Sequence, residues 1–457
     1  MIRSYLGKRG YVLIKQHWAS NVLEECRKDC IVQPFSPIQY GEIASKFPIY
    51  RECQTKLYLP KFYGLQKFGP TEQITIPDGD IIDISFQGQL REHQIEPVRI
   101  VMDGLLTKGG GILSVGCGWG KTIAACYILT QLKRKTFILV HKEFLMNQWK
   151  ERIQSCIPTA RIGKVQGSVI DIDNKDIVIG MVQSISMKEY PIHLFDSFGF
   201  LVLDEAHRVP SREFSKSFTK IQCPYMLALS ATPERSDGLT KVLKWFIGDI
   251  LYEKKSIITV PATVRRIFFR STDVQYKKEV WNHYFGQINR ACMLNQIAEF
   301  VPRIHFIVSI LCPLVQEEQR QILVLSDRKE LLYEIEIQLQ QKNITCGYYI
   351  GGMKPDELIH STKQSIILAT YPMAAEGLDI STIDTILLAT PKTNVEQAIG
   401  RIRIQTERIN DPLILDIIDD FSIFSSQAYQ RLKLYKKKGY QIENEDKISS
   451  LFHETDL

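Results

Sequence analysis

The fold is decided by GILSVGCGWGKTIAACYILTQLK, residues 111–133. Its first five residues predict a buried strand, and residues 122–133 predict a helix. Glycine can adopt a positive φ, and it lets backbone N–H groups approach a phosphate closely. Between the strand and the helix stand Gly116, Gly118 and Gly120. A glycine loop that leads into the positive end of a helix predicts a phosphate-binding site.

The residues after the loop carry the phosphate chemistry. Lys121 can neutralise the β- and γ-phosphates of a nucleotide, and Thr122 can ligate Mg²⁺. The strict motif G-x-x-x-x-G-K-T would have a glycine where Val115 stands, so only the shorter form G-x-G-K-T is present. Because glycine turns also join strands to helices for packing reasons, the loop alone leaves both interpretations open.

A pair of carboxylates supports the nucleotide interpretation. FLVLDEAH, residues 200–207, is typical of a buried strand, and it ends in Asp204 and Glu205. Ligands of open α/β sheets bind at the carboxyl ends of the strands. We therefore expect Asp204 to hold Mg²⁺, directly or through water, and Glu205 to orient or deprotonate the attacking water. Two motifs in matching strand contexts predict a site for ATP and Mg²⁺.

Strand-like runs alternate with helical stretches on both sides of these motifs. The first set is GILSV (111–115), TFILV (136–140), DIVIG (176–180), FLVLD (200–204) and MLALS (226–230). The second set is QILVLS (321–326), CGYYIG (346–351), SIILAT (365–370), TILLAT (385–390) and LILDII (413–418). Alternating β and α units predict parallel sheets covered on both faces, so we expect an α/β fold with two lobes.

The segments around the two sets complete the expected domain organisation. We expect a small N-terminal α+β accessory domain at 1–86, a first lobe at 87–252, a connection with helix at 253–300, a second lobe at 301–425 and a basic tail at 426–457. Tyrosine and phenylalanine are dense in residues 46–69. They favour a packed aromatic core, and a base-stacking surface is the alternative.

Composition bounds the class of protein. The chain has 457 residues, 44% of them hydrophobic and 24% charged, which excludes a disordered chain, a collagen-like repeat and a cysteine-rich secreted scaffold. The net charge of +6 permits a nucleic-acid partner without requiring one. The ten cysteines form no C-x-x-C pair, so we expect thiols of a reducing compartment. We expect neither a signal peptide nor a membrane span.

The ordered motifs resemble those of superfamily 2 helicases with a D-E-A-H box, over roughly residues 87–420. In chain order they are LREHQ (90–94), GCGWGKT (116–122), LVHKEFLMNQW (139–149), DEAH (204–207), SATPERSDG (230–238), LVLSDR (323–328), ATYPMAAEGLDI (369–380) and EQAIGRIR (396–403). The chain looks most similar to phage UvsW-like helicases and to helicases of large DNA viruses, including the poxvirus transcript-release type, and it is related to the excision-repair group. The resemblance implies two tandem RecA-like lobes, ATP with Mg²⁺, and a nucleic-acid substrate.

The resemblance also implies roles for single residues. Gln94 would contact the adenine base. His207 would bond to the hydroxyls of Ser230 and Thr232, which follow an apolar strand, and so link the ATP state to the nucleic-acid side. Asp379 would accept a hydrogen bond from an arginine or from the ribose.

The last motif departs from the family pattern Q-x-x-G-R-x-x-R. Gln397 and Arg401 fit the pattern, and Arg401 would reach the γ-phosphate from the second lobe as an arginine finger does. The final arginine is replaced by Ile404. Arg403 or Arg408 could supply the missing contact, and both alternatives stay open.

A further group of residues is expected to contact the nucleic-acid backbone. By motif position these are His141, Lys142, Gln183, Ser326, Arg328 and Thr370. In the basic tail, Lys436 and Lys437 lie among tyrosines, which suits phosphate contacts with stacking nearby, although a solvated amphipathic helix explains the tail equally well.

Three functions compete at this stage. The sequence favours an ATP-dependent helicase or translocase that acts on branched or forked DNA in recombination, repair, replication or viral genome processing. The second is an RNA-directed or transcription-associated motor that releases transcripts, and the third is a weakly hydrolysing nucleic-acid-binding scaffold. Candidate partners are the replication, recombination or transcription machinery, and the expected compartment is cytoplasmic or nuclear, with a viral factory or virion as alternatives.

Overall fold

The computed structural model describes residues 2–35, 45–116, 118–191, 193–208, 211–231, 238–254, 261–282, 286–316, 318–377, 380, 382–400 and 410–445. The chain divides into two compact units, Met1–Ser256 and Ile257–Leu457. Each unit contains one large, mostly parallel sheet with helices between its strands. The predicted α/β class, with two RecA-like lobes and a small N-terminal α+β domain, is confirmed.

The first unit is built around the sheet β10-β9-β11-β8-β12-β13-β7-β14, which is parallel apart from the β9–β10 pair. Its elements are β1 Ser4–Gly7, β2 Gly10–Ile14, α1 Ser20–Asp29, β3 Ile31–Val32, β4 Phe47–Pro48, β5 Arg51–Glu52, β6 Lys56–Leu59, α2 Lys61–Phe68, α3 Glu92–Lys108, β7 Gly111–Val115, α4 Lys121–Leu132, β8 Thr136–Val140, α5 Glu143–Cys156, β9 Ile162–Gln166, β10 Val169–Asp171, β11 Ile177–Met181, α6 Val182–Met187, β12 Phe200–Leu203, α7 Ser211–Phe218, β13 Tyr225–Ser230, α8 Thr240–Ile247 and β14 Ile250–Lys254.

The central strands are buried on both faces, which explains their unbroken apolar runs. Successive side chains point to opposite faces of a sheet. In β8, Phe137 and Leu139 therefore pack into one core, and Ile138 and Val140 pack into the other. Because β12, β13 and β7 are neighbours and parallel, their carboxyl ends lie at one edge of the sheet. The fold thus brings the glycine loop and the acidic motif to the same edge.

The N-terminal segment forms the antiparallel sheet β1-β2-β6-β5 and packs within the first unit. The aromatic rings of residues 46–69 take part in this packing. The ring of Tyr63 meets Trp245 of α8 edge-on with centroids 4.9 Å apart, and Phe68 meets Trp18 at 4.7 Å. These contacts agree with a packed aromatic core.

A buried lysine joins this segment to the central sheet. Lys61, at the start of α2, is only 4% exposed, and its Nζ donates to the carbonyls of Gly109, at 3.1 Å, and Pro224, at 3.0 Å. Burial lowers the pKa of Lys61 from 10.5 to about 8. A neutral amine retains two N–H donors, one for each of these carbonyls.

Lys61 should make stability depend on pH. Above pH 8 Lys61 loses its proton in the folded state, whereas in the unfolded state it keeps that proton until about pH 10.5. Between these two values the unfolded state binds more protons, so the free energy of unfolding rises with pH. Relative to Lys61→Met, the wild type should gain up to about 3 kcal/mol of unfolding free energy between these limits. Urea unfolding at several pH values measures this difference, and Lys108→Met, at an exposed lysine of the same unit, is the control. Parallel pH profiles for wild type and Lys61→Met would contradict the burial argument.

The second unit is built around the parallel sheet β19-β20-β18-β21-β22-β15-β23. Its elements are β15 Thr263–Phe269, α9 Val274–Lys277, β16 Trp281–Asn282, β17 Gln287–Ile288, α10 Arg290–Ala298, α11 Val301–Gln316, β18 Ile322–Ser326, α12 Lys329–Gln340, β19 Cys346–Tyr349, α13 Pro355–Ser361, β20 Ile366–Thr370, α14 Tyr371–Gly377, β21 Thr385–Leu388, α15 Glu396–Ile399, β22 Leu413–Asp419, α16 Ser422–Lys437 and β23 Gln441–Glu445. Within the described ranges no single helix could span a membrane by length and composition, whereas α10 and α11, bent by 63°, pass that test only as a pair.

Two expected segments of this unit differ from their sequence interpretation. Residues 253–300 were expected to form a connection, but they contain β15, which lies inside the sheet between β22 and β23. In the basic tail, Arg431 and Tyr435 of α16 are buried, because Asp416 of β22 accepts hydrogen bonds from both side chains. These two residues are therefore part of the core of the unit and not of a basic surface.

Candidate nucleotide and nucleic-acid site

Two of the three glycines in the loop adopt the positive φ that the sequence analysis allows for them. Gly118 has a φ of +76° and Gly120 a φ of +94°, both in the region that favours glycine. A Cβ on Gly118 would meet open space, so its requirement is conformational. A Cβ on Gly120 would lie 2.5 Å from Nε2 of Gln94, so this position also lacks room for a side chain. Lys121 follows at the first position of α4.

Gln94 is held against the loop. It is 1% exposed, and its Nε2 donates to the carbonyls of Trp119, at 3.1 Å, and Gly120, at 3.2 Å. Its Oε1 accepts from the backbone N–H of Arg91 at 2.9 Å. An adenine contact by Gln94 would have to exchange these bonds, so its role as a base contact stays a prediction.

An aromatic pair that the sequence analysis did not predict lies beside this loop. The ring of Trp119 meets the imidazole of His93 edge-on with centroids 5.6 Å apart. Trp119 is 9% exposed and His93 is exposed, so the pair extends from the core to the surface next to the glycine loop. The motif alone does not indicate this contact, because a tryptophan in a loop is usually a packing residue that buries a large apolar surface.

The acidic motif is buried and fixed from two sides. Asp204 is 6% exposed, its Oδ2 accepts from Nε1 of Trp149 at 2.8 Å, and its Oδ1 accepts from the N–H of Glu205 at 2.9 Å. Burial, together with the charge of Glu205, raises the pKa of Asp204 to about 6, although Lys121 and the hydrogen bonds from Trp149 and the Glu205 N–H act to lower it. Glu205 has a φ of +47°, which is rare for a residue with a side chain and is found at functional sites.

The predicted catalytic side chains lie in one connected group. Lys121 Nζ is 3.5 Å from Oε1 of Glu205, and Nδ1 of His207 is 3.4 Å from Oε2 of the same carboxylate. His207 Nδ1 is also 3.0 Å from Oγ of Ser230, which is the pairing that the sequence predicted. The group therefore runs from the glycine loop to the end of β13.

The residues present fit a nucleotide with Mg²⁺. Lys121 is followed by the hydroxyl of Thr122, and the buried carboxylate of Asp204 has a raised pKa that a nearby cation would lower. Among the residues with described positions, no cluster of three or more His, Cys, Asp or Glu side chains could hold a metal ion. Proteins commonly hold Mg²⁺ with one or two side chains while the substrate phosphates supply other ligands, and Thr122 and Asp204 have the oxygen atoms that such a site needs.

The candidate nucleic-acid contacts of the first unit lie close together. Nε2 of Gln183 donates to the carbonyl of His141 at 3.0 Å, so the segments after β8 and β11 are joined at this edge. The His141 side chain is only 8% exposed, whereas Lys142 is half-buried with Nζ over the ring of Phe144. Lys142 is thus better placed than His141 to meet a phosphate.

The candidates of the second unit are more mixed. Ser326 is fully buried, and its Oγ accepts from the N–H of Arg328 at 2.9 Å, so it closes a turn and is not placed to contact nucleic acid. The Arg328 guanidinium donates to Asn295 Oδ1 and to the carbonyl of Ala291 on α10. Thr370 is half-buried at the end of β20. Lys436 and Lys437 are exposed on α16.

Part of the predicted site lies outside the described residues. These positions are Thr232, Asp379, Arg401, Arg403, Arg408 and the side chain of Gln397. Their roles stay predictions.

The sequence analysis also missed the contact between Trp149 and Asp204. Trp149 stands within the segment LVHKEFLMNQW (139–149), but the hydrogen bond to Asp204 joins residues 55 positions apart. No local pattern reports such a contact, and a buried tryptophan on an apolar helix face is ordinarily a core residue.

Two family models match parts of the chain. The family model described as the res subunit of type III restriction enzymes matches residues 87–235, and the helicase conserved C-terminal domain matches residues 303–404. The crystal structure of T4 UvsW aligns over 93% of this chain and 96% of its own, with 17% identity and a TM-score of 0.36.

Viral helicases are similar over most of the chain. L396 of Acanthamoeba polyphaga mimivirus, named as an ATP-dependent RNA helicase, is 32% identical over 452 residues, which are 97% of this chain and 87% of that protein. QP509L of African swine fever virus (isolate Pig/Kenya/KEN-50/1950), which carries the same name, is 29% identical over 77% of this chain and 74% of its own length. The chain therefore belongs to the superfamily 2 ATP-dependent helicases and is related to those of large DNA viruses and phages.

Proposed function

We propose that the chain hydrolyses ATP in response to nucleic acid and uses the reaction to move along the strand and separate it from its complement. The observation that carries the proposal is the group formed by Lys121, Glu205, His207 and Ser230, which adjoins the glycine loop. Lys121 neutralises phosphate charge, and Glu205 orients the attacking water. The contact between His207 and Ser230 links this chemistry to the end of β13.

The remaining parts of the site follow from the same proposal. Thr122 and Asp204 would hold Mg²⁺, which would supply charge neutralisation at the phosphates. Arg401 of the second unit would complete the γ-phosphate contacts, so that hydrolysis responds to the relative position of the lobes. Backbone contacts dominate in such a motor, so substrate structure should matter more than sequence.

The polynucleotide is proposed to be DNA, with branched or forked structures preferred. The similarity of SATPERSDG, residues 230–238, to excision-repair and phage recombination helicases supports DNA. The names of L396 and QP509L favour the second candidate, an RNA-directed or transcription-associated motor. Replication, recombination or transcription machinery would be the corresponding partners.

Phosphate release separates these candidates. The wild type is assayed alone and with single-stranded, duplex, forked and junction DNA and with single-stranded RNA. We expect forked or junction DNA to raise kcat by at least about tenfold, a modest gain for correct positioning of catalytic groups. Stronger stimulation by RNA would establish the second candidate, and weak hydrolysis that no polynucleotide stimulates would favour the scaffold.

A further inference from the structure

The buried indole of Trp149 makes a polar contact with the nucleotide site. Trp149 lies on α5, is 1% exposed, and donates its Nε1–H to Oδ2 of Asp204 at 2.8 Å. The other carboxylate oxygen accepts from the N–H of Glu205 at 2.9 Å. Each oxygen therefore has one fixed donor and retains a lone pair for a ligand.

These two donors restrict the orientation of the Asp204 carboxylate. Rotation about the Cβ–Cγ bond of Asp204 would leave the indole N–H of Trp149 without an acceptor. Because Trp149 is buried, water could not replace that acceptor. The second donor is the backbone N–H of Glu205, which belongs to the peptide group directly after Asp204 and so can leave the carboxylate only if the backbone itself moves. Groups of the protein itself thus hold the carboxylate in a single orientation.

The hydrogen bond can be separated from the packing of the ring. The indole belongs to the core cluster that includes Val140 of β8, Val202 of β12 and Ile153 of the same helix. Phenylalanine could fill most of this space without an N–H. The contribution of the donor can therefore be tested with the ring position still occupied.

We propose that Trp149 is a positioning residue of the nucleotide site, which orients Asp204 to receive the magnesium nucleotide. The inference rests on the proposed function, because it assigns Trp149 a role in the same ATP site. Outer-shell hydrogen-bond donors of this kind orient the groups that hold a metal, and their loss typically weakens metal binding or activity by 10-fold or more.

Binding of mant-AMPPNP, a fluorescent ATP analogue that is not hydrolysed, provides the test. Its affinity is measured in Mg²⁺ and in EDTA for wild type, Trp149→Phe and Trp245→Phe. Trp245 lies on α8 in the same unit and packs on Tyr63. Its phenylalanine variant also removes one indole N–H and therefore serves as the matched control. The quantity compared is the factor by which Mg²⁺ raises the affinity over that in EDTA. We expect this factor to be about 10-fold smaller in Trp149→Phe than in wild type, with the affinity in EDTA unchanged. In Trp245→Phe we expect both the factor and the affinity in EDTA to equal those of the wild type.

The possible results are distinguishable. Equal Mg²⁺ gains in wild type and Trp149→Phe would overturn the inference, as would an equal loss of affinity in Mg²⁺ and EDTA, which indicates a structural role alone. A wild type that binds no nucleotide would instead refute the proposed function.

A second measurement covers the case in which Trp149→Phe does not fold. In wild type with ¹⁵N-labelled tryptophan, the Trp149 indole resonance is assigned by elimination from phenylalanine variants of the other four tryptophans. We expect it to shift on addition of Mg²⁺ with the analogue and to stay in place with the analogue in EDTA. An indole resonance that responds identically in both would overturn the inference.

Discussion

Replacing Lys121 by alanine should lower kcat for nucleic-acid-stimulated ATP hydrolysis by a factor on the order of 10³. The ammonium group lies at the start of α4, its side chain is only 10% exposed, and it is 3.5 Å from Glu205. In such a site, water cannot fully replace a lost charge. Steady-state phosphate release at saturating ATP and DNA measures the effect.

The matched control is Lys150→Ala, which removes the same charge from an exposed position of α5. It should keep nearly the full kcat, and both variants should show cooperative thermal unfolding close to that of the wild type. Normal hydrolysis by Lys121→Ala would refute the assignment of the glycine loop as the phosphate site. Equal losses of kcat in Lys121→Ala and Lys150→Ala would mean that the activity depends on the net positive charge of the protein and not on the position of Lys121.

The sequence predicts the central strands well, because strands buried on both faces leave unbroken apolar runs. β8 and β18 are fully buried, and each lies within a predicted run. β15 was missed because Arg265 and Arg266 interrupt its apolar pattern. In the structure they meet Glu443 and Asn444 of β23, so pairing with another polar strand accommodates them. That compensation lies 178 residues away and has no local signal.

The candidate site likewise contains residues that the sequence predicts and contacts that it does not. Lys121 and Asp204 belong to contiguous motifs, so their neighbourhood can be predicted from strand order and from the rule that ligands bind at carboxyl ends. The contact of Gln94 with the loop and that of Trp149 with Asp204 depend on how α3 and α5 pack on the sheet. Side-chain direction at such crossings is set by tertiary packing, which a single sequence does not reveal.

Replacing Asp419 by alanine should lower the unfolding free energy of the second unit by about 3–5 kcal/mol. Arg303 of α11 is fully buried, and its Nε and Nη2 donate to the two carboxylate oxygens of Asp419 at 2.6 and 2.8 Å. The hydroxyl of Tyr276 donates to the same carboxylate. Without Asp419 the guanidinium would remain buried with its charge unpaired.

Hydrogen exchange of β15 and β22 is the suitable measurement, because a chain with two compact units need not unfold in one step. Asp420→Ala, at the exposed neighbour that accepts a hydrogen bond from Ser425, should cost less than about 1 kcal/mol. The double variant Arg303→Met/Asp419→Leu should recover much of the protection lost in Asp419→Ala, since it removes both charges and leaves apolar side chains in their place. If the double variant instead exchanged as fast as Asp419→Ala, lost packing rather than an unpaired charge would be the cause. If Asp419→Ala lost no more protection from hydrogen exchange than Asp420→Ala, the buried pair of Arg303 and Asp419 would not be what stabilises the packing of α11 on the sheet.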